Sequence, residues 1–385
     1  MNILYFDNAA TTKVKDEVLK EMIPYFSQEY GNPSSSYSIG RNNKKAIEEA
    51  RKKVADLIGA KPKEIYFTSS GSESDNTALK GFANVNRDKG NHIITSKIEH
   101  PAILESCKTL EKQGYRITYL NVDKYGVVDL NELRKNINKQ TILISIMFAN
   151  NEIGTIEPIE EIAKIAKSYN ITFHTDAVQA VGNINIDVSK MKIDMLSLSG
   201  HKLYGPKGIG ALFVKEGVKF NRYIDGGHQE KNKRAGTENV PAIVGLGKAA
   251  ELAKNNLEKH VKHLQELRDY YIEQIESNIL GVKLNGSRVN RLPGNSNFSF
   301  IGIDGNEILY ELDMKGICVS TGSACSSGDD TPSHVLRSIG LGKEWINGSI
   351  RVTFGEENTK EDIDILVKYI KNCIEKTKIK TNESQ

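Results

Sequence analysis

Ile193-Asp-Met-Leu-Ser-Leu-Ser-Gly-His-Lys202-Leu-Tyr-Gly-Pro-Lys-Gly208 joins an apolar run to a lysine set among hydroxyl, imidazole and glycine neighbours. Residues 193–198 have the length and continuity of a strand buried on both faces, and Gly210-Ala-Leu-Phe-Val214 repeats the pattern directly afterwards. Upstream, Glu64-Ile-Tyr-Phe-Thr68, His92-Ile-Ile-Thr95, Thr141-Ile-Leu-Ile-Ser-Ile-Met147 and Ile171-Thr-Phe-His174 are runs of the same kind, separated by helical patterns. Continuous apolar strands alternating with helices predict an α/β chain with a mainly parallel sheet covered on both faces. Ligands of such sheets bind beyond the carboxyl ends of the strands, and Lys202 lies at such a place. A lysine there suits a Schiff base with an aldehyde cofactor, given an unprotonated amine and a phosphate cradle nearby. A solvated loop lysine beside glycine and proline is the alternative.

At 385 residues the chain exceeds the usual limit of one core, so a large domain and a smaller one are expected. Apolar residues at helical spacing from Leu257 to Ile279 predict a long amphipathic helix over residues 256–279. Beyond it come a strand at 297–301, a helix at 306–314, short strands at 317–319 and 349–354, and a last helix from about residue 361. These form a smaller α+β unit hinged to the first by the long helix.

The formal charge is +3, and the lysines are scattered without arginine and aromatic clusters, so no direct nucleic-acid partner is expected. No segment has the length of a membrane span, and the first residues do not resemble a secretory signal. Four irregularly spaced cysteines (Cys107, Cys318, Cys325 and Cys373) make no disulfide framework and point to a reducing, cytoplasmic setting.

Several residues beyond strand ends can carry chemistry. Gly71 and Ser72 open a helix after the strand at 64–68, where backbone N–H groups and the helix dipole can seat a phosphate; an ordinary capping box is the alternative. Asp176, just past the run at 171–174, can hold a pyridine nitrogen protonated, or simply cap the turn that follows. His100 can stack on a flat cofactor or move protons near neutral pH, or be surface polarity. Cys325 lies in Gly322-Ser-Ala-Cys-Ser-Ser-Gly-Asp-Asp330, a stretch of small residues that suits a thiol nucleophile. A metal site with Cys318 or His334 matches no compact zinc spacing, so no metal is expected, and Cys318 reads as a core residue. Arg351, on a strand, can clamp a substrate carboxylate in bidentate fashion or face solvent.

Taken in order, these segments resemble the pyridoxal-phosphate-dependent cysteine desulfurases of the NifS/IscS type, within the class V aminotransferases of fold type I. The likeness runs from Tyr5-Phe-Asp-Asn-Ala-Ala-Thr-Thr12 through Gly31-Asn-Pro-Ser-Ser35, Glu99-His-Pro101, Asn150-Asn-Glu-Ile-Gly154 and Arg234-Ala-Gly-Thr-Glu-Asn239 to Gly322-Ser-Ala-Cys325. It implies a large domain over residues 14–255 with a mainly parallel seven-stranded sheet. Residues 1–13 and 256–385 would make the small domain carrying the cysteine loop.

The resemblance also implies roles for individual residues. Lys202 would be the Schiff-base lysine, Asp176 the partner of the pyridine nitrogen, Gln179 the contact to the ring hydroxyl and His100 the stacked ring. Gly71, Ser72, Ser199 and His201 would cradle the phosphate, and Thr237 would reach it from the second subunit of a homodimer. Asn151, Arg351 and Asn32 correspond to positions that hold the ring and the substrate carboxylate. L-cysteine would displace Lys202, whose amine removes the α-proton. Cys325 would then take the substrate sulfur as a persulfide and release alanine, with His100 exchanging protons.

Gly71-Ser72 stands where the family usually has Gly-Thr or Ala-Thr, which keeps the hydroxyl. The loop from Cys325 to Pro332 is shorter than the IscS-type loop, similar to the NifS type, and lacks the Arg-x-Gly-His-His-Cys pattern of the SufS-like group. The sulfur would pass to an acceptor or scaffold protein for iron–sulfur clusters or thio-cofactors. A selenocysteine lyase, another class V lyase or transaminase, and a docking scaffold for such an acceptor are the other readings.

Overall fold

The computed structural model describes residues 3–321 and 332–383. Seven strands form the main sheet: β2 (Ile65–Thr68), β3 (His92–Ser96), β4 (Arg116–Leu120), β5 (Thr141–Ser145), β6 (Thr172–Asp176), β7 (Met195–Ser199) and β8 (Gly210–Val214). A short β1 (Leu4–Tyr5) precedes them. Their order is β2-β8-β7-β6-β5-β3-β4, and β8 runs antiparallel to both of its neighbours while the other pairings are parallel. The mainly parallel seven-stranded sheet expected from the sequence is therefore present. Every residue of β3, β5, β7 and β8 is buried, which explains why these strands read as unbroken apolar runs.

β4 was not visible in the sequence. It lies at the sheet edge with Arg116 exposed and Ile117, Thr118 and Tyr119 only half-buried, so no continuous apolar run marks it.

A second, antiparallel sheet has the order β12-β10-β9, with β9 at Val282–Leu284, β10 at Asn295–Phe300 and β12 at Ser349–Thr353. The two-residue β11 (Ile317–Cys318) pairs in parallel with β1, which brings the start of the chain to this second sheet. Cys318, expected in the core, is half-buried there, because so short a strand with a single partner covers only part of it.

Two apolar clusters follow the two larger sheets. One gathers residues from Val18 to Ala250, among them Phe67, Ile144, Phe173 and Leu196, while the other gathers Phe6 with Leu264, Tyr271, Phe298, Val352 and Ile370. In the second cluster Tyr271 meets Phe298 and Phe354 edge-on, at centroid distances of 5.9 and 5.6 Å.

The helix expected at residues 256–279 is longer, spanning Val240–Asn278. Its first part carries Gly245 and Gly247, which read as helix breakers. A Cβ on Gly247 would stand 2.6 Å from the Cα of Ala50, so the glycine permits close contact with the helix Ser38–Ile58. Buried on several sides there, the helix shows no polar face in its sequence until residue 251. Its N-terminal part packs in the first cluster and its C-terminal part in the second.

Candidate active site

The carboxyl ends of β2, β3, β5, β6 and β7 open onto one cavity of about 470 Å³. Gly71, Ser72, His100, Asn151, Asp176, Gln179, Ser199, His201, Lys202 and Arg351, each singled out in the sequence, all lie in its wall. Asn32 and Thr237 do not. Asn32 sits in an exposed turn with its side-chain oxygen accepting from the Ser34 N–H, and Thr237 is exposed in the loop before the long helix. Cys325 lies outside the described residues.

Asp176 is the last residue of β6 and only 6 % exposed; its carboxylate accepts the N–H of Val178 at 2.9 Å. Burial raises its pKa, while His100 and Lys202 oppose that rise. Asp75, also in the wall, is raised well above the ordinary carboxylate range by burial first and by Asp176 second. Beneath them His174 is fully buried between the hydroxyls of Ser145 (2.9 Å) and Ser197 (3.0 Å). Burial drives its pKa down to about 3.

The sign of that shift fixes a pH dependence. Below about pH 6.5 the unfolded chain takes up a proton at residue 174 that the folded chain refuses. Stability from this site therefore falls with pH, by up to about 1.4 kcal/mol per unit, until about pH 3. Urea unfolding between pH 7 and pH 4 should show the wild type losing more stability than His174→Asn; parallel declines would contradict the assignment.

Lys202 ends the single turn Gly200–Lys202 that follows β7. Its Nζ donates to the carbonyl of Ala9 and, at 2.7 Å, to that of Ala10. The side-chain amide of Gln179 donates to the same Ala9 carbonyl at 3.1 Å. His201 meets the Thr11 hydroxyl through Nδ1 at 3.2 Å, and burial followed by the charges of Lys202 and Lys207 lowers its pKa to about 4. The N-terminal segment thus forms part of the wall, a role its sequence did not reveal.

At the other side, the helix Gly71–Asn76 starts from Ser70, whose hydroxyl accepts the Glu73 N–H at 3.1 Å, while Glu73 accepts the Ser69 N–H at 2.8 Å. The serine half of the capping box is thus realised, with Glu73 turned to Ser69 instead of the N-cap Ser70, and it coexists with a place in the cavity wall. The first turn leaves the N–H groups of Gly71 and Ser72 outside the intrahelical ladder. A Cβ on Gly71 would meet Val178 Cγ2 at 2.6 Å, and the buried Ser199 Oγ has no hydrogen-bond partner among the described residues. Free N–H groups, an unpartnered hydroxyl and a close backbone approach are what a bound phosphate requires.

Arg351 is 2 % exposed, neither facing solvent nor waiting for a substrate alone. Its Nη2 donates to Asp7 Oδ1 at 2.7 Å and its Nη1 to the carbonyl of Asn151 at 3.1 Å. Asp7 is a partner that sequence reasoning missed, as were Asp75 and Glu152 in the cavity wall; His334, weighed in the sequence only as a metal ligand, lies there too. No cluster of three or more potential ligand side chains for a metal ion occurs among the described residues, and no helix among them is long and apolar enough to cross a membrane.

An amine at a strand end, a buried carboxylate and an imidazole in one cavity wall, beside backbone N–H groups that can seat an anion, are the set that a pyridoxal-phosphate enzyme of fold type I uses. The chain belongs to the Aminotransferase class-V family, whose sequence model matches residues 4–366. Within that family it is of the NifS/IscS cysteine desulfurase type. It is 55 % identical over 373 residues to cysteine desulfurase IscS of Dictyoglomus turgidum, covering 97 % of this chain and 95 % of that protein. A solved NifS-like protein superposes with a TM-score of 0.92 at 39 % identity, covering 97 % of this chain and all of the other. SspA in complex with cysteine superposes with a TM-score of 0.81 at 38 % identity, over 91 % of this chain and 98 % of that one.

Proposed function

We propose that the chain is a pyridoxal-phosphate-dependent cysteine desulfurase that converts L-cysteine to L-alanine and carries the displaced sulfur as a persulfide on Cys325. The observation that carries this reading is the convergence of Lys202, Asp176, His100 and Arg351 on one cavity in a chain of this family. When bound, the cofactor supplies an aldehyde for an amine and a ring that draws electrons from the substrate α-carbon.

The residues of the chain do the rest. Gly71, Ser72, Ser199 and His201 would seat the phosphate, with Thr237 reaching it from the second subunit of a homodimer. Asp176 would hold the pyridine nitrogen, and Gln179 and Asn151 would fix the ring. Arg351, already oriented by Asp7, offers its guanidinium to the substrate carboxylate, a role Asn32 would share. The Lys202 amine takes the α-proton. As the Cys325 thiol joins the substrate sulfur, the carbon–sulfur bond breaks and carbon gains a proton, so cysteine and thiol become alanine and persulfide.

The homodimer is supported by an apolar surface at the start of the chain, where Phe26 and Tyr30 are 65 % and 71 % exposed. The two core clusters support a division into residues 14–255 and a small domain of 1–13 with 256–385. The cysteine pattern fits the cytoplasm, where an acceptor protein for iron–sulfur or thio-cofactor assembly would take the sulfur.

Cys325→Ala is expected to abolish alanine and persulfide formation while leaving the visible absorbance of the lysine-linked cofactor intact. Full turnover by this variant would overturn the thiol assignment.

A further inference from the structure

Tyr204 stands two residues beyond Lys202 with a φ of 59°, in the left-handed region that a bulky aromatic residue seldom enters. Such a backbone persists only where its surroundings impose it. The Tyr204 N–H donates to Thr12 Oγ1 at 2.9 Å, its carbonyl accepts the Lys15 N–H at 3.1 Å, and its hydroxyl accepts the Glu356 N–H at 3.1 Å. Every polar group of this residue is engaged.

Thr12 is the centre of this arrangement. Only 4 % exposed, it grips the chain on both sides of the lysine: its hydroxyl donates to the His201 carbonyl at 2.9 Å while accepting from Tyr204, and its own N–H donates to the same carbonyl at 3.0 Å. The turn closes part of itself, with the N–H groups of Leu203 and Gly205 donating to the Gly200 carbonyl at 2.9 and 3.0 Å, but it leaves the His201 carbonyl and the Tyr204 N–H to Thr12. A side chain that both donates and accepts is needed there, and a hydroxyl does so. The same segment holds the tip of the lysine, since Nζ donates to the carbonyls of Ala9 and Ala10. Residues 9–12 thus set both the root and the tip of Lys202.

Resting on the desulfurase reading, we propose that Thr12 is a positioning residue for the Lys202 amine, its hydroxyl clasping residues 201 and 204 so that the amine, once displaced by substrate, stays within reach of the α-carbon. Thr12 is not part of the wall of the large cavity, so it acts through the backbone of the lysine and not on the substrate. A misplacement of about 1 Å in such a reacting pair can cost on the order of 10²-fold in rate. Substrate binding rests on other contacts, because Arg351 is oriented by Asp7 and by the Asn151 carbonyl. The clasp therefore bears on kcat and not on KM.

The test compares Thr12→Val and Thr12→Ser in the cofactor-loaded enzyme. Valine keeps the branched shape and removes the hydroxyl, whereas serine keeps the hydroxyl and removes the methyl; Thr12→Ala replaces the valine variant if that one does not fold. Thr12→Val should lower kcat by about 10- to 10²-fold at unchanged KM for cysteine. Its isotope effect with α-deuterated cysteine should rise, because removal of the α-proton becomes the slow step. Thr12→Ser should restore kcat to within about threefold of wild type. In the unloaded chain, the Tyr204 amide should exchange with solvent at least about tenfold faster in Thr12→Val than in wild type, while the amides of β7 stay protected.

A hydroxyl-free variant with kcat within twofold of wild type, a loss confined to KM, an unchanged isotope effect, an equal loss in Thr12→Ser, or a Tyr204 amide that exchanges equally in wild type and variant would overturn the proposal. If wild type itself makes no alanine from cysteine, the desulfurase reading fails instead, and the Tyr204 exchange still decides whether Thr12 holds the turn.

Discussion

Lys202→Ala should lose the visible absorbance of the linked cofactor and reduce cysteine turnover by roughly 10³- to 10⁴-fold, the range typical for removing an essential proton-transfer group. The expectation follows from position. The amine lies at the end of β7, in the wall of the cavity that also holds Asp176 and His100. In the structure Nζ donates to the carbonyls of Ala9 and Ala10, which aim it. Lys202→Arg supplies the control, because it preserves donors to those carbonyls but is too strong a base to form the link or accept a proton. Loss of absorbance in both variants with native thermal unfolding would assign the chemistry to the amine. An unchanged band in Lys202→Ala would place the link on another residue.

Asp176→Asn should cost about 10²- to 10³-fold in kcat while the cofactor remains bound, as expected when a preorganised charge facing the reacting system is removed. The isosteric amide still accepts the Val178 N–H but cannot keep a proton on a ring nitrogen by charge. Burial already works against the ionised form of Asp176, and His100, the Val178 N–H and Lys202 counter it. Exchange of the substrate α-proton with deuterated solvent is the sensitive measurement. It should slow in step with turnover, and a kcat within threefold of wild type would remove Asp176 from the mechanism.

Much of the frame was legible because buried parallel strands write themselves as continuous apolar runs. β3, β5, β7 and β8 are cases in point, and the residues that follow such strands, Lys202, Asp176 and Gly71, are the ones found in the cavity. β4 escaped because an edge strand shows water one side of itself. The first four turns of the long helix escaped because Gly247 answers to the helix Ser38–Ile58 and Gly245 to Met22 and Pro206, contacts that local sequence does not contain.

The site divided in the same manner. Ala9 and Ala10 act through backbone oxygens, which every residue has, so no side-chain type announces them. Asp7 becomes meaningful only once Arg351 arrives from the far end of the chain, and the sequence left Arg351 open between a clamp and an outward-facing residue. His334 stood out in the sequence only as a potential metal ligand. Its ring orientation depends on the Glu99 carbonyl, which folding alone brings near.

The contact between Asp7 and Arg351 spans 344 residues, and β1 pairs with β11 along the same seam. During synthesis the first residues of the chain therefore wait for nearly the whole polypeptide before they can close the wall around Lys202. Such non-local closure is slow relative to the local helices and strand pairs of the large sheet, and it comes last. A nascent chain can form much of the seven-stranded sheet early, but it becomes competent to hold the cofactor against a finished wall only after β12 has left the ribosome. Loading is thus coupled to completion of the chain, and a product truncated before residue 349 would carry Lys202 without the pocket that gives it a purpose.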